Sequence, residues 1–117
     1  MERPFAVDGP EAFNALALDL FRLHAAHNPV YRAFLEGLRI TPDRVGSIEA
    51  IPFLPIQAFR DHRVLLEGLT PALTFTSSGT TAAITARHHV PWPELYARSF
   101  MTGFRNALGE PATWRII

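Results

Sequence analysis

The residues best suited to chemistry lie between positions 76 and 81, where hydroxyl side chains surround one glycine. This segment consists of Thr76, Ser77, Ser78, Gly79, Thr80 and Thr81. Hydroxyls and free backbone N–H groups bent around a glycine are suited to holding phosphate oxygens. Because one such hydrogen bond contributes only about 1 kcal/mol, a phosphate site has to collect several. The segment predicts a phosphate-binding loop, and a polar hairpin loop of the same composition is the alternative interpretation.

A phosphate loop also needs positive charge, and the choice of cations in this chain is narrow. All 11 basic residues are arginine, so a Walker-type phosphate lysine and a Schiff-base lysine are both excluded from these residues. Arg87 is the nearest fixed cation after the loop. The countercharge is therefore expected from Arg87 or from Mg²⁺.

The composition is that of one ordinary globular domain. The 117 residues are 48% hydrophobic and 19% charged, and 11 acidic residues balance the basic ones, which argues against disorder and against a nucleic-acid-binding protein. There is no cysteine, so these residues hold no disulfide and no thiol that could accept an acyl group. No apolar run approaches 18 residues, and we expect a cytoplasmic protein without membrane association.

Residues 1–40 predict a pair of antiparallel helices. The first begins around Asp8-Gly9-Pro10 and ends at Asn28-Pro29, because proline fits the first turn of a helix and stops one that precedes it. Apolar residues at helical spacing predict the second between Val30 and Leu38. His24 and His27 share a helical face, and a structural role near the end of the helix is favoured over metal binding.

Residues 41–72 form a proline-rich connection. Turns are predicted at Thr41-Pro42 and at Ser47, and the apolar residues 51–56 hold two prolines that exclude a helix interior or a central strand. A brief helix is expected between Gln57 and Arg63. Residues 51–56 are interpreted as an apolar extended segment laid across another surface.

Residues 73–117 predict strand, loop, strand, helix and strand. Residues 73–76 and 86–90 alternate as half-buried strands on either side of the loop. A helix is expected from Pro93 to Gly109, with a core stripe of Tyr96, Phe100 and Phe104. Residues 113–117 are interpreted as a buried strand just begun. The fold class is α/β, as α+β in this stretch, and residues 1–117 are predicted to form one partial domain of a larger enzyme.

The order of residues 76–81 closely resembles the phosphate-binding loop of the adenylate-forming enzyme superfamily, which runs Thr-Ser-Gly-Thr-Thr-Gly before a Pro-Lys or similar pair. Residues 51–60, from Ile51 to Arg60, and Arg87-His88-His89-Val90 then resemble the acyl-protein synthetases of bacterial luminescence operons. Phenylacetate–CoA ligases are more distant relatives of that family. These stretches lie between positions 51 and 90 of the 117-residue chain.

This sequence departs from the family pattern at two places. Ala82 stands where the family usually has glycine, and residues 83–86 offer no lysine. The motifs for adenine, for ribose and for the C-terminal part of the site are not in these residues, so we expect little or no turnover by the chain alone.

The resemblance implies that a fatty acid or another carboxylate reacts with ATP and Mg²⁺ to give an acyl-adenylate and pyrophosphate, after which a thiol takes the acyl group. Thr76, Ser77, Ser78, Gly79, Thr80, Thr81 and Arg87 would contact the phosphates. It also allows Phe53 or Phe59 to line an acyl pocket, although both are interpreted first as packing residues. The rival hypothesis is a short, non-catalytic protein that keeps the loop and works by association, and a homo-oligomer fits either hypothesis.

Two further histidines, His88 and His89, invite a metal hypothesis that the strand geometry disfavours. Neighbouring residues on a strand point to opposite faces, so the two imidazoles do not readily share one ion. A structural contact is the favoured role of His88, and contact with a phosphate or carboxylate is the alternative.

Overall fold

The computed structural model describes residues 3–77 and 85–115. Within these residues the α-helices are α1 (Gly9–His27), α2 (Pro29–Gly37), α3 (Ala58–Asp61) and α4 (Pro93–Leu108), and the strands are β1 (Leu73–Thr76) and β2 (Arg87–Val90). Short 3₁₀ turns precede α1, connect α2 to α3 and follow α4. None of the helices described is both long and apolar enough to cross a lipid bilayer. Because the described residues combine these helices with a small antiparallel sheet, their arrangement is α+β.

Asn28 is the single residue between α1 and α2, and it is bonded to both helices. Its side-chain Oδ1 accepts the N–H of Tyr31 at 3.2 Å and so caps α2. This fixes the amide orientation, so Nδ2 donates to Nδ1 of His24, at 3.2 Å. Asn28 is only 3% exposed, and these bonds satisfy its buried polar atoms. The predicted helix boundary at Asn28-Pro29 is confirmed.

The C-terminus of α2 is closed by a Schellman motif that uses arginine where glycine is usual. The N–H of Ile40 donates to the carbonyl of Leu35, and the N–H of Arg39 donates to that of Glu36, both at 3.0 Å. Arg39 takes a φ of 58°, in the left-handed region that a side chain disfavours. The turn is held because Ile40 packs against the core.

The core lies where the two helices meet the connecting segment. Its buried residues are Phe21, Ala25, Tyr31, Leu35 and Val45. The rings of Phe21 and Tyr31 meet edge to face, with centroids 6.0 Å apart. Beyond Val45, none of the residues that the structure describes is fully buried.

The proline-rich segment is tied across the helix pair, as its composition predicts. The hydroxyl of Tyr31 donates to the carbonyl of Pro52 at 2.6 Å. The N–H of Glu67 donates to the last carbonyl of α1, on His27, at 2.7 Å. The carboxylate of Glu67 accepts Nη2 of Arg32 at 2.6 Å. These bonds fix the proline-rich segment to the helix pair at Pro52 and at Glu67, and the helix expected between Gln57 and Arg63 spans only Ala58–Asp61.

The strands β1 and β2 pair as an antiparallel hairpin, in the register Leu73 with Val90 and Thr76 with Arg87. Side chains alternate between the two faces of this hairpin. One face carries Phe75, whose ring lies 5.1 Å from that of Tyr96 on α4. The other face carries Arg87 and His89 beside residues 59–63.

The stripe of Tyr96, Phe100 and Phe104 on α4 was predicted as core, and that prediction is wrong. Tyr96 and Phe100 touch each other at 5.5 Å between ring centroids, yet both remain exposed. The periodicity correctly identifies the helix. Among the described residues, however, its apolar face meets other aromatic rings at its two ends, on Phe75 near its start and on Trp114 near its finish.

The expected final strand is also wrong for the residues that can be described. Pro111–Thr113 forms a 3₁₀ turn, and residues 114 and 115 have no regular structure. Local bonds explain the turn, since Thr113 Oγ1 donates to the carbonyl of Glu110 at 2.7 Å and the indole N–H of Trp114 donates to that of Leu108 at 2.9 Å. The turn starts at Pro111, whose ring fixes φ in the helical range. Residues 116 and 117 lie outside the described residues.

Burial of His24 predicts a pH dependence of stability. Desolvation lowers the pKa of His24 below 6.5, so the unfolded chain binds this proton more readily than the native chain does. The contribution of His24 to the free energy of unfolding is complete above pH 6.5. It declines as the pH falls toward the lower pKa of the native state and levels off below that pKa. We expect a small loss, because the ring is only half buried and solvent screens it.

Urea unfolding at pH 7.5 and pH 5 measures this effect. His24→Gln should show a smaller loss of unfolding free energy on acidification than the wild type. His27→Gln, which removes an exposed imidazole one turn along the helix, is the matched control and should keep the wild-type loss. Equal losses in the wild type and His24→Gln would contradict the prediction.

Candidate functional site

The candidate site is the end of the β1–β2 hairpin, where the predicted phosphate loop begins. Thr76 is the last residue of β1 and lies opposite Arg87, the first residue of β2. Both side chains are exposed. The hairpin therefore brings one predicted hydroxyl and the predicted cation together at the base of the loop.

Ser77 closes the base of the loop through two hydrogen bonds with Ala86. Its N–H donates to the Ala86 carbonyl at 3.0 Å, and its Oγ accepts the Ala86 N–H at 3.1 Å. A hydroxyl has one donor besides its two acceptor lone pairs. The O–H of Ser77 can therefore still donate to an anion while Oγ holds the backbone.

Four predicted site residues, Ser78, Gly79, Thr80 and Thr81, lie outside the described residues. Their roles remain predictions from the sequence. The described residues on either side, Ser77 and Thr85, mark where this segment leaves the hairpin and returns to it.

A cavity of about 500 Å³ lies beside the hairpin, between β2 and residues 59–63, which comprise the last three residues of α3 and the two residues after it. We call it the basic cavity; its walls include His62, Arg63, Thr85, Arg87 and His89. Sequence analysis identified Arg87 but missed Arg63, which is 24 positions earlier. The available signal was the spacing of Arg60 and Arg63, which are three residues apart in the segment expected to form a brief helix.

The two neighbouring histidines of β2 have different partners. The ring of His88 lies against Phe59, with centroids 4.8 Å apart. Nδ1 of His89 is 3.1 Å from Oγ1 of Thr74 on the paired strand. Both therefore make structural contacts. In the part of the chain that the structure describes, no three His, Cys, Asp or Glu side chains cluster as metal ligands.

Phe53 and Phe59 both border an apolar groove of about 560 Å³ beside α1. The groove also includes Phe13, Leu20, Phe21, Tyr31 and Ile51, with His24 among its few polar members. Phe53 is 88% exposed, so the interpretation of this side chain as a packing residue is wrong. Phe59 is half-buried and is held by His88.

Comparison with known proteins yields no match: no family model fits the chain, and neither a curated protein nor a solved structure is significantly similar to it. The assignment to a family is therefore a proposal that rests on the sequence motifs and on the hairpin geometry.

Proposed function

We propose that this chain is the N-terminal part of a cytoplasmic, ATP-dependent acyl-adenylating enzyme of the acyl-protein synthetase type. A carboxylate oxygen attacks the α-phosphorus of ATP, the bond to the β-phosphate oxygen breaks, and pyrophosphate leaves. A thiol from another part of the protein or from a partner then attacks the acyl carbonyl, and AMP leaves. The chain contributes the phosphate loop to this reaction.

The observation that carries the proposal is the construction of the hairpin end. Thr76 and Arg87 face each other on paired strands, and Ser77 is held by both of its bonds to Ala86. A backbone fixed in this way loses little further freedom when an anion binds. The contribution of these residues is electrostatic, since they hold charge on the departing phosphates and transfer no proton.

Mg²⁺ fits the proposal as an ion carried on the phosphates of ATP. Magnesium sites of this kind usually combine one or two protein ligands with phosphate oxygens and water. The polar groups at the hairpin end are hydroxyls and an arginine. They suit this arrangement because they bind the phosphate oxygens that carry the ion. Asp61, the carboxylate of the basic cavity, is already bonded to Arg60.

The apolar groove suits the acyl part of the substrate. Ligand sites are typically about 300–1,000 Å³, largely apolar, and carry a few polar groups. The groove has this size and lining, and Phe59 connects it to His88 on β2. In this proposal the acyl chain lies along the groove and the carboxylate points toward the hairpin.

The exposed surface supports a role as one part of a larger assembly. The chain exposes 8922 Å², whereas a compact monomer of 13.1 kDa exposes about 6,400 Å². Its radius of gyration is 16.9 Å, against about 13 Å for a compact chain of this length. Large apolar side chains such as Phe53, Phe100 and Trp114 contribute to the excess of exposed surface area.

The native polypeptide in the source cells tests the proposal. An antibody against residues 1–40 should capture a protein several-fold heavier than 13.1 kDa. That protein should exchange pyrophosphate into ATP when a carboxylate is supplied, while the 117-residue chain should show negligible exchange. A heavier protein without exchange for any of a series of short- to long-chain fatty acids would overturn the proposal.

The same exposed surface favours a second candidate, a non-catalytic protein that works by association. An excess of about 2,500 Å² on one chain corresponds to about 5,000 Å² over two partners, which is at the upper end of what obligate interfaces bury. A captured protein of about 13 kDa that forms a stable oligomer and exchanges no pyrophosphate would establish this candidate instead.

A further inference from the structure

We infer that the basic cavity is an anion-binding site for a pyrophosphate-type polyanion, with Arg63 and Arg87 as its two cations. The cavity joins two segments that are far apart in sequence, residues 59–63 and residues 85–89. The lining residues that carry the charge of this cavity lie outside positions 78–84. If the proposed function holds, the ligand is the pyrophosphate that the reaction releases.

The charge in the cavity comes from two arginines. Arg60 donates from Nε and Nη2 to the two carboxylate oxygens of Asp61, at 2.9 and 3.2 Å, so this pair is neutral as a unit. The hydrogen bond from Arg60 lowers the pKa of Asp61 and keeps that carboxylate ionised. Arg63 and Arg87 have no ion-pair partner among residues 3–77 and 85–115. The cavity therefore carries a net positive charge of about two.

The remaining walls supply hydrogen-bond donors. His89 is oriented by the contact of Nδ1 with Thr74, which leaves Nε2 as the ring atom that can meet a ligand. Thr85 is half-buried just before β2 and brings a hydroxyl, and His62 follows α3 directly. Donors on several sides suit an oxyanion with oxygens in several directions.

Size and charge together favour a polyphosphate over a single phosphate. The cavity, at about 500 Å³, is larger than one phosphate group needs, and its two guanidinium groups come from different segments. A guanidinium binds phosphate oxygens in a bidentate manner, so two of them can each hold one phosphoryl group of pyrophosphate. Orthophosphate can contact both guanidinium groups only by spanning the cavity, so it should bind more weakly than pyrophosphate.

Calorimetric titration of the purified chain with sodium pyrophosphate at constant ionic strength tests the inference. Arg63→Gln should weaken binding about ten-fold, because it removes a charged donor to the ligand. Arg44→Gln removes the same charge from an exposed position outside the cavity and should change the affinity by less than about two-fold. Orthophosphate should bind more weakly than pyrophosphate.

Two outcomes would overturn the inference: no binding of pyrophosphate by the wild-type chain, or equal effects of Arg63→Gln and Arg44→Gln. Circular dichroism and thermal unfolding establish that each variant is folded.

Gly79→Val distinguishes a failure of this inference from a failure of the proposed function. If Gly79→Val abolishes pyrophosphate binding and Arg63→Gln does not change it, the loop is the site and the basic cavity is not. If Arg63→Gln weakens binding but the native polypeptide exchanges no pyrophosphate, the cavity stands without the proposed enzyme.

Discussion

Leu35→Ala should lower the free energy of unfolding by about 2–5 kcal/mol, the range for removing a fully buried leucine. Leu35 is 2% exposed and packs at the meeting point of α1, α2 and the residues around Val45. Its backbone carbonyl also anchors the turn after α2, since it accepts the N–H of Ile40. The substitution leaves that bond in place, so the loss comes from the transfer of the side chain and the cavity left behind.

Leu38→Ala is the matched control for this prediction. Leu38 directly follows the same helix but is 49% exposed, so its truncation should cost less than about 1 kcal/mol. Urea unfolding followed by circular dichroism measures both variants. Small domains have only about 5–15 kcal/mol of stability, so Leu35→Ala should shift the midpoint strongly. Similar midpoints for the two variants would mean that the core does not lie at the helix pair.

The helices of this chain could be predicted from sequence because their ends are marked by local signals. Asn28-Pro29 ends α1 and starts α2 within two residues, and Gly109, with a φ of 80°, stops α4 in a conformation that suits glycine. The hairpin was predictable for a similar reason, since both strands alternate beside a segment rich in hydroxyls. These signals act over a few residues and need no knowledge of the rest of the fold.

Burial could not be predicted from the same patterns, because it depends on what covers a face. The stripe on α4 has helical periodicity, yet Phe100 is exposed in the described structure. Trp114 was expected in a strand, but its indole bonds to the last turn of α4. A strand needs a neighbouring strand to pair with, and among the described residues none pairs with residues 113–115.

The candidate site was predictable only in its local part. Thr76, Ser77 and Arg87 lie at the hairpin end where the motif places them. Arg63, two residues after the end of α3, reaches the same cavity as Arg87 because α3 contacts β2, and no periodicity encodes such a contact. Long-range convergence of charges is information that a single sequence does not give.

Asn28→Ala should lower the free energy of unfolding by about 2–4 kcal/mol, which combines the loss of a helix cap with the cost of unsatisfied buried groups. The N–H of Tyr31 would lose its acceptor, and Nδ1 of His24 would lose its donor. Neither atom gains a water easily, because position 28 is 3% exposed. Urea unfolding at pH 7.5 measures the loss.

Asn28→Asp separates the two bonds, because a carboxylate can still cap α2 but cannot donate to His24. The cap should survive, since an oxygen remains for the N–H of Tyr31 and a negative charge suits the start of a helix. The second oxygen would face Nδ1 of His24, and the charge would favour the protonated ring and raise the pKa of His24, against the effect of burial. The Asn28→Asp protein should therefore be less destabilised at pH 6 than at pH 8, whereas Asn28→Ala, which brings no negative charge to His24, should recover less on acidification. Equal losses for the two variants at both pH values would contradict this account, since they would mean that the amide acts only by filling space between α1 and α2.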